Sequence, residues 1–275
     1  MRNGSGNLRS SGSENSYGEG MEKSAAFFDV DNTLSRGSTL FLVARGLSRR
    51  GFFSTRMVLK FALAQTRFRL SGKEKAKEIS NVRQAALVFV KGHKTSELAD
   101  IAEEIYDESI SHSLWAGTVA LAKEHLAAGR QVWLVTASPL EMGEVIARRL
   151  GFTGALGSIA GSVDGIYTGE LVGELLHGAA KAKAVVKLAE ENGLDLAECY
   201  AYSDSANDLP LLAAVGHPCV INPDVKLRRH AKANSWPIED YRRARRAARV
   251  AAPIVAGIGA LTALFSRKPW GTKRR

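Results

Sequence analysis

The sequence predicts an α/β fold: a doubly wound parallel sheet with helices on both faces and a helical cap inserted after the first strand. Three observations carry this prediction. Four short apolar runs, at residues 25–30, 131–136, 199–203 and 217–222, have the length and continuous hydrophobicity of strands buried on both faces. Helical patterns separate them, and that alternation builds a parallel sheet. The stretch from Ser35 to about Trp115 is long, helix-rich and strand-poor, more than a simple crossover needs.

Taken in order, residues 1–23 are rich in Gly, Ser and Asn and too poor in large apolar groups to offset the entropy of ordering. They hold no apolar stretch of the kind a signal peptide carries, so a cytoplasmic body is expected. The core domain is expected at 24–35 and 116–238, with the cap at 36–115 standing over the C-terminal edge of the sheet. Within the core, a helix at 118–128 stops at Gly129 and one at 140–150 stops at Gly151. A third, at 180–192, stops at Gly193. Between Ser158 and Gly173 a glycine-rich section reads as a β-hairpin turning at Asp164-Gly165.

The net charge of +10 is unevenly spread. From Lys226 onward there are 14 Lys/Arg and 2 acids, which leaves 24 basic and 26 acidic residues for 1–225. The body is slightly acidic and the tail, 239–275, strongly basic. Tyr241-Arg-Arg-Ala-Arg-Arg-Ala-Ala-Arg249 reads as a basic helix, and an apolar segment follows to Phe265. That order suits either a helix packed on the protein or on a partner, or contact with an anionic membrane through residues 241–268. The apolar part is shorter than a membrane-spanning helix. No zinc-finger or RNA-binding pattern accompanies the charge, so no nucleic-acid partner is expected. Cys199 and Cys219 sit in strand-like runs and read as buried small hydrophobes in a reducing compartment.

The chemistry gathers at strand ends, where open parallel sheets bind ligands. Asp29-Val-Asp31-Asn-Thr33 ends the first strand, with two carboxylates one residue apart. They could hold a hard divalent cation, or divide roles as nucleophile and proton carrier. Ser203-Asp204-Ser-Ala-Asn207-Asp208 ends the third strand, so Asp204 and Asp208 approach the same edge and could complete the oxygen shell of Mg²⁺. Thr136-Ala137-Ser138 ends the second strand before a helix; hydroxyls and free N–H groups there form an anion site. Ser138, ahead of Pro139, also suits a helix cap. Lys181 and Lys183 begin the next helix, and a lysine at the sheet edge could neutralise phosphate.

These four elements, in this order, resemble the haloacid dehalogenase superfamily, and the likeness spans about residues 24–222. The long insert directly after the first motif resembles the helical cap of its subfamily IB, the phosphoserine-phosphatase-like branch, on a Rossmann-like core. The resemblance implies a Mg²⁺-dependent phosphatase that cleaves a phosphate monoester through an aspartyl-phosphate. It makes Asp29 the nucleophile and Asp31 the general acid/base. Thr136, Ala137 and Ser138 bind phosphate, and Lys181, in preference to Lys183, steadies phosphate and Asp29. The metal falls to Asp29, the Asp31 carbonyl and Asp204, with Asp208 in support. Phosphoserine phosphatases carry a glutamate shortly after the first motif; Ser38 stands there, in Arg36-Gly-Ser-Thr39, with no acid beside it. A basic, apolar run through residues 49–53 and 60–63 reads as ordinary packing of cap helices, or as a lining for a more apolar or more anionic ester. Alternatives of another class are a lipid-phosphate phosphatase at the membrane surface, a phosphotransferase, and a non-catalytic regulatory protein.

Overall fold

The computed structural model describes residues 23–52, 56, 63 and 90–242. The first strand, β1 (Ala25–Phe28), is only four residues long, and every one is buried. Its side chains alternate: Ala26 and Phe28 enter one apolar cluster, Ala25 and Phe27 the other. That alternation is the strand period of two. With both faces covered, Phe27 and Phe28 each contribute about 1.5–3 kcal/mol of burial.

After β1 come α1 (Thr39–Arg49), α2 (Thr95–Ile105), α3 (Ala116–Ala127), β2 (Gln131–Pro139), α4 (Leu140–Leu150), β3 (Gly154–Val163), β4 (Ile166–Val172) and α5 (Ala179–Asn192). The chain ends its described part with β5 (Tyr200–Ser203), the single turn α6 (Leu209–Leu212), β6 (His217–Ile221), α7 (Val225–Ala233) and β7 (Ile238–Glu239). The seven strands lie in the order β4-β3-β2-β1-β5-β6-β7, all neighbours parallel except β3 and β4. The chain starts in the middle, builds outward through β2 and β3, then crosses back to β5 and β6. The reversal of winding beside β1 opens the crevice in which such sheets place ligands. Helices α1 to α4 pack one face, and α5, α6 and α7 the other.

Several elements follow the sequence closely. Helix α4 closes at Gly151 (φ 74°) and α5 at Gly193 (φ 63°), both left-handed as helix-ending glycines are. The β3–β4 hairpin turns on Asp164 (φ 49°) and Gly165 (φ 75°), the paired positive φ of a type I′ turn. Others differ. The first half of β3 pairs in parallel with β2, and two further bonds come from residues 92 and 95, Gly92 N donating to Tyr167 O of the edge strand β4 and Thr95 N to Gly165 O in the hairpin turn. Four residues counted with the basic tail, Lys226, Arg228, Arg229 and Lys232, lie on α7, a helix that packs on the core through Leu227 and Ala231. Position 239, where the tail was expected to begin, is inside β7. Beyond it Tyr241 packs on Gly117 of α3 and donates its backbone N–H to Asn222 Oδ1 at 2.9 Å.

Of the expected cap, α1, α2 and the segment leading to α3 are described; most of residues 53–89, with 60–62 of the apolar run, lies outside the described residues. So do residues 1–22 of the expected tail at 1–23 and the segment from 243 on. Among the described residues, no helix is long and apolar enough to cross a membrane.

Candidate active site

Asp29 follows the last residue of β1, and its backbone N–H continues the ladder to Tyr202 O at 2.9 Å. The register pairs Phe28 with Tyr202, so one step further Asp29 lies opposite Ser203, and Asp204 comes next. Neighbouring strands are about 4.8 Å apart. Two acidic stretches 175 residues apart in sequence are thereby brought to the same edge of the sheet. Asp204 is half-buried, and its carbonyl accepts from Asp224 N at 2.8 Å. Asp224 in turn caps α7 through Leu227 N and holds Ala206 N, tying down the acidic loop.

Asp29 is 5% exposed and each of its oxygens is engaged. Oδ1 accepts from Lys181 Nζ at 2.5 Å and Oδ2 from Thr33 Oγ1 at 2.9 Å. Lys181, in the first turn of α5, is 3% exposed and reaches a second carboxylate, Asp208 Oδ2, at 2.8 Å. Asp208 Oδ2 also accepts from Ser203 Oγ at 2.8 Å. Lys183, two residues on, is exposed beside Glu174. Burial acts on Lys181 against its charge, but the two carboxylates outweigh it and lift its pKa, so the ammonium is secure. For Asp29 burial is the largest influence and pushes the carboxyl upward. Lys181 pulls it back, while Asp208 and Asp31 add to the rise.

Asp31 is held differently. Its Oδ1 accepts from the backbone N–H of Thr39 at 2.8 Å and from Thr39 Oγ1 at 2.5 Å. The connecting loop folds tightly: Asn32 N donates to Gly37 O, and Gly37 turns at φ 90°, a value that favours glycine. Thr136 is buried at the end of β2, where its Oγ1 accepts the Ser138 amide at 3.1 Å. The hydroxyl keeps its own proton for an acceptor. Ala137 lies between them, its carbonyl accepting from Ser158 Oγ at 3.0 Å.

One expectation needs correction here. Ser138 does not cap α4: β2 runs on to Pro139, which holds the cap position without a side-chain bond, and Ser138 Oγ pairs with Thr39 Oγ1 at 2.8 Å. Asp208, expected to support the metal site, turns its Oδ2 to Lys181 and Ser203; among the described residues, no three His, Cys, Asp or Glu side chains are arranged to hold an ion. Asp29 and Asp204 with a neighbouring carbonyl still fit Mg²⁺. That ion takes one or two carboxylates and fills its shell with water and phosphate, and a carboxylate oxygen with one partner retains a lone pair. Ser38, at the glutamate position of phosphoserine phosphatases, caps α1, its Oγ accepting from Phe41 N at 3.4 Å.

Sequence reasoning gave no role to Thr33, Thr39, Ser203 or Asp224. Thr33 and Thr39 were visible inside the quoted motifs. Nothing in the sequence ties Asp224 to Asp204, since that contact depends on β6 ending beside β5.

The haloacid dehalogenase-like hydrolase family model matches residues 26–213, which takes in Asp29, Asp31, Thr136, Lys181, Asp204 and Asp208. The phosphoserine phosphatase SerB1 of Mycobacterium tuberculosis H37Rv is 52% identical over 248 residues, covering 89% of this chain and 80% of that protein. A Bordetella pertussis protein of unknown function, solved as a crystal structure, is 30% identical with a TM-score of 0.70, covering 80% of this chain and 99% of that one. A phosphoserine phosphatase solved as an analogue of its phospho-aspartyl intermediate gives a TM-score of 0.57 at 21% identity, covering 80% and 94%, a likeness of fold. The chain therefore belongs to the haloacid dehalogenase-like hydrolases and is a phosphoric monoester hydrolase of the phosphoserine-phosphatase-like kind.

Proposed function

We propose that this enzyme hydrolyses a small-molecule phosphate monoester in two steps through an aspartyl-phosphate on Asp29. The observation that carries the reading is the Asp29 carboxylate itself. It is buried at a strand end, clamped between the Lys181 ammonium and the Thr33 hydroxyl, with a second aspartate two residues on. A carboxylate taken out of water at that cost is there to be used.

Asp29 attacks phosphorus, forming the new O–P bond as the ester O–P bond breaks. Asp31 gives its proton to the departing alkoxide, so an alcohol leaves. Water then attacks the acyl phosphate, Asp31 takes the proton back, and the Asp29–phosphorus bond breaks to release phosphate. Lys181 offsets the repulsion between the carboxylate and the phosphate. The Thr136 hydroxyl and the backbone around Ala137 and Ser138 hold the phosphate oxygens. Mg²⁺, held by Asp29, Asp204 and the Asp31 carbonyl, would supply the remaining positive charge and orient the phosphate. Asp208 supports the site by keeping Lys181 in place.

The names of the relatives make phosphoserine the first substrate to test. Ser38, engaged as the α1 cap, offers no carboxylate to an ammonium. Incubating the purified protein with Mg²⁺ and a panel of esters, including p-nitrophenyl phosphate, phosphoserine and lysophospholipid phosphates, tests the reading. Mg²⁺-dependent phosphate release supports it. No release from any ester, with or without Mg²⁺, would overturn it in favour of a non-catalytic role.

A further inference from the structure

We infer that Thr39 is a positioning residue that decides which oxygen of Asp31 carries the catalytic proton; this rests on the acid/base role proposed for Asp31. Thr39 is the first residue of α1 and is fully buried. It makes three polar contacts: its N–H and its Oγ1 both lie on Asp31 Oδ1, and its Oγ1 also meets Ser138 Oγ at 2.8 Å.

The direction of each bond follows from what each group can do. A backbone N–H only donates, so Asp31 Oδ1 is an acceptor for it. With the carboxyl ionised, or protonated on Oδ2, Oδ1 only accepts, so the Thr39 hydroxyl spends its one proton there too. The Ser138 hydroxyl must then donate to Thr39. The three groups form a one-way chain from Ser138 through Thr39 to Asp31 Oδ1. A proton arriving on Oδ1 would face two donors already in place. Oδ2 is left as the oxygen that picks up and delivers the proton.

The chain also crosses a boundary. Thr39 belongs to the insert, while Asp31 and Ser138 belong to the ends of two core strands. The α1 N-terminus, with its positive end directed at Asp31, is thus locked to the carboxylate that must turn over a proton. Movement of α1 from its seat would remove both donors from Oδ1 at once.

The inference predicts a dependence on the leaving group. Loss of a positioned general acid should matter little when the departing oxygen is a stable anion and much when it is not. The constant to read is kcat/KM, which covers steps only through the first irreversible release. In the Mg²⁺-loaded full chain, Thr39→Val should lower kcat/KM for phenyl phosphate roughly 10–100-fold more than for p-nitrophenyl phosphate. Thr39→Ser, which keeps the hydroxyl, should return both to within about threefold of the parent. Should the valine variant fail to fold by circular dichroism, Thr39→Ala makes the same comparison. Equal losses on both esters, no loss on either, or a serine variant as impaired as the valine would overturn the role of Thr39 while leaving the phosphatase reading intact. A parent enzyme inert toward both esters would overturn the phosphatase reading itself.

Discussion

The same kind of ion pair occurs in two regions with opposite consequences. At the carboxyl edge of the sheet, Lys181 sits between Asp29 and Asp208, all three at most 5% exposed. On the outer surface, Arg148 and Arg149 of α4 pair with Glu103 and Asp107, and Arg50 pairs with Glu104 and Glu108; the Arg148 side chain is 61% exposed. The outer pairs lie in water and salt, where such contacts contribute about 0–1 kcal/mol. The inner triad has surrendered the hydration of three charges, so each member depends on the others. A fold does not need the inner arrangement for stability, since apolar side chains of similar volume would serve as well. Its presence marks the edge of the sheet as the place where charge is put to use.

Substitutions can break this contrast or sharpen it. The largest effect is expected from Asp29→Asn, which keeps the shape but removes the nucleophile. Turnover of p-nitrophenyl phosphate should fall on the order of 10⁴-fold or more, with the circular dichroism spectrum unchanged. Next comes Lys181→Met, which leaves Asp29 and Asp208 buried without their cation. Chemical denaturation should show a loss of about 3–5 kcal/mol, and activity should fall by roughly 10²–10³-fold. A variant with wild-type stability and activity would show that Lys181 is dispensable and that the contrast is misread.

A smaller effect involves neutral groups rather than pairs. Burial pushes the Cys219 thiol up from 9.0 to about 12, and burial raises the Tyr202 hydroxyl in the same direction. The folded state therefore holds these protons more tightly than the unfolded chain. Their contribution is complete below about pH 9 and is lost as pH climbs toward 12. The melting temperature should decline across that window, and Cys219→Ala should flatten part of the decline. The smallest effect is expected from Arg148→Ala on the outer surface, a change in stability within about 1 kcal/mol that shrinks further in high salt.

Much of this was legible in the sequence because the relevant signals are local. The apolar runs gave β1, β2, β5 and β6 within a few residues, and glycines marked the ends of α4 and α5. The meeting of Asp29, Lys181 and Asp208 could be anticipated because all three lie at or just beyond ends of elements that share one edge. What escaped depended on distant contacts. The first part of β3, residues 154–157, is glycine-rich and lacks a clean alternation, so only its pairing with β2 reveals that the strand of the expected hairpin begins there. β7 has two residues, and α7 carries so many cations that its charge hid the apolar stripe of Leu227 and Ala231. Ser138 has the composition of a helix cap, yet Thr39, 99 residues away in sequence, claims its hydroxyl. Asp208 was legible as an acid at the site, but its bonds to Lys181 and Ser203 were not.

The most direct measurement is of the covalent state of Asp29. Rapid acid quench of the Mg²⁺-loaded enzyme during turnover, followed by peptide mass spectrometry, should find a phosphoryl group on the peptide containing Asp29, and none in Asp29→Asn. Phosphate release by the parent with no modified peptide, or by the Asn variant at an undiminished rate, would contradict a mechanism in which this buried carboxylate is the group that attacks.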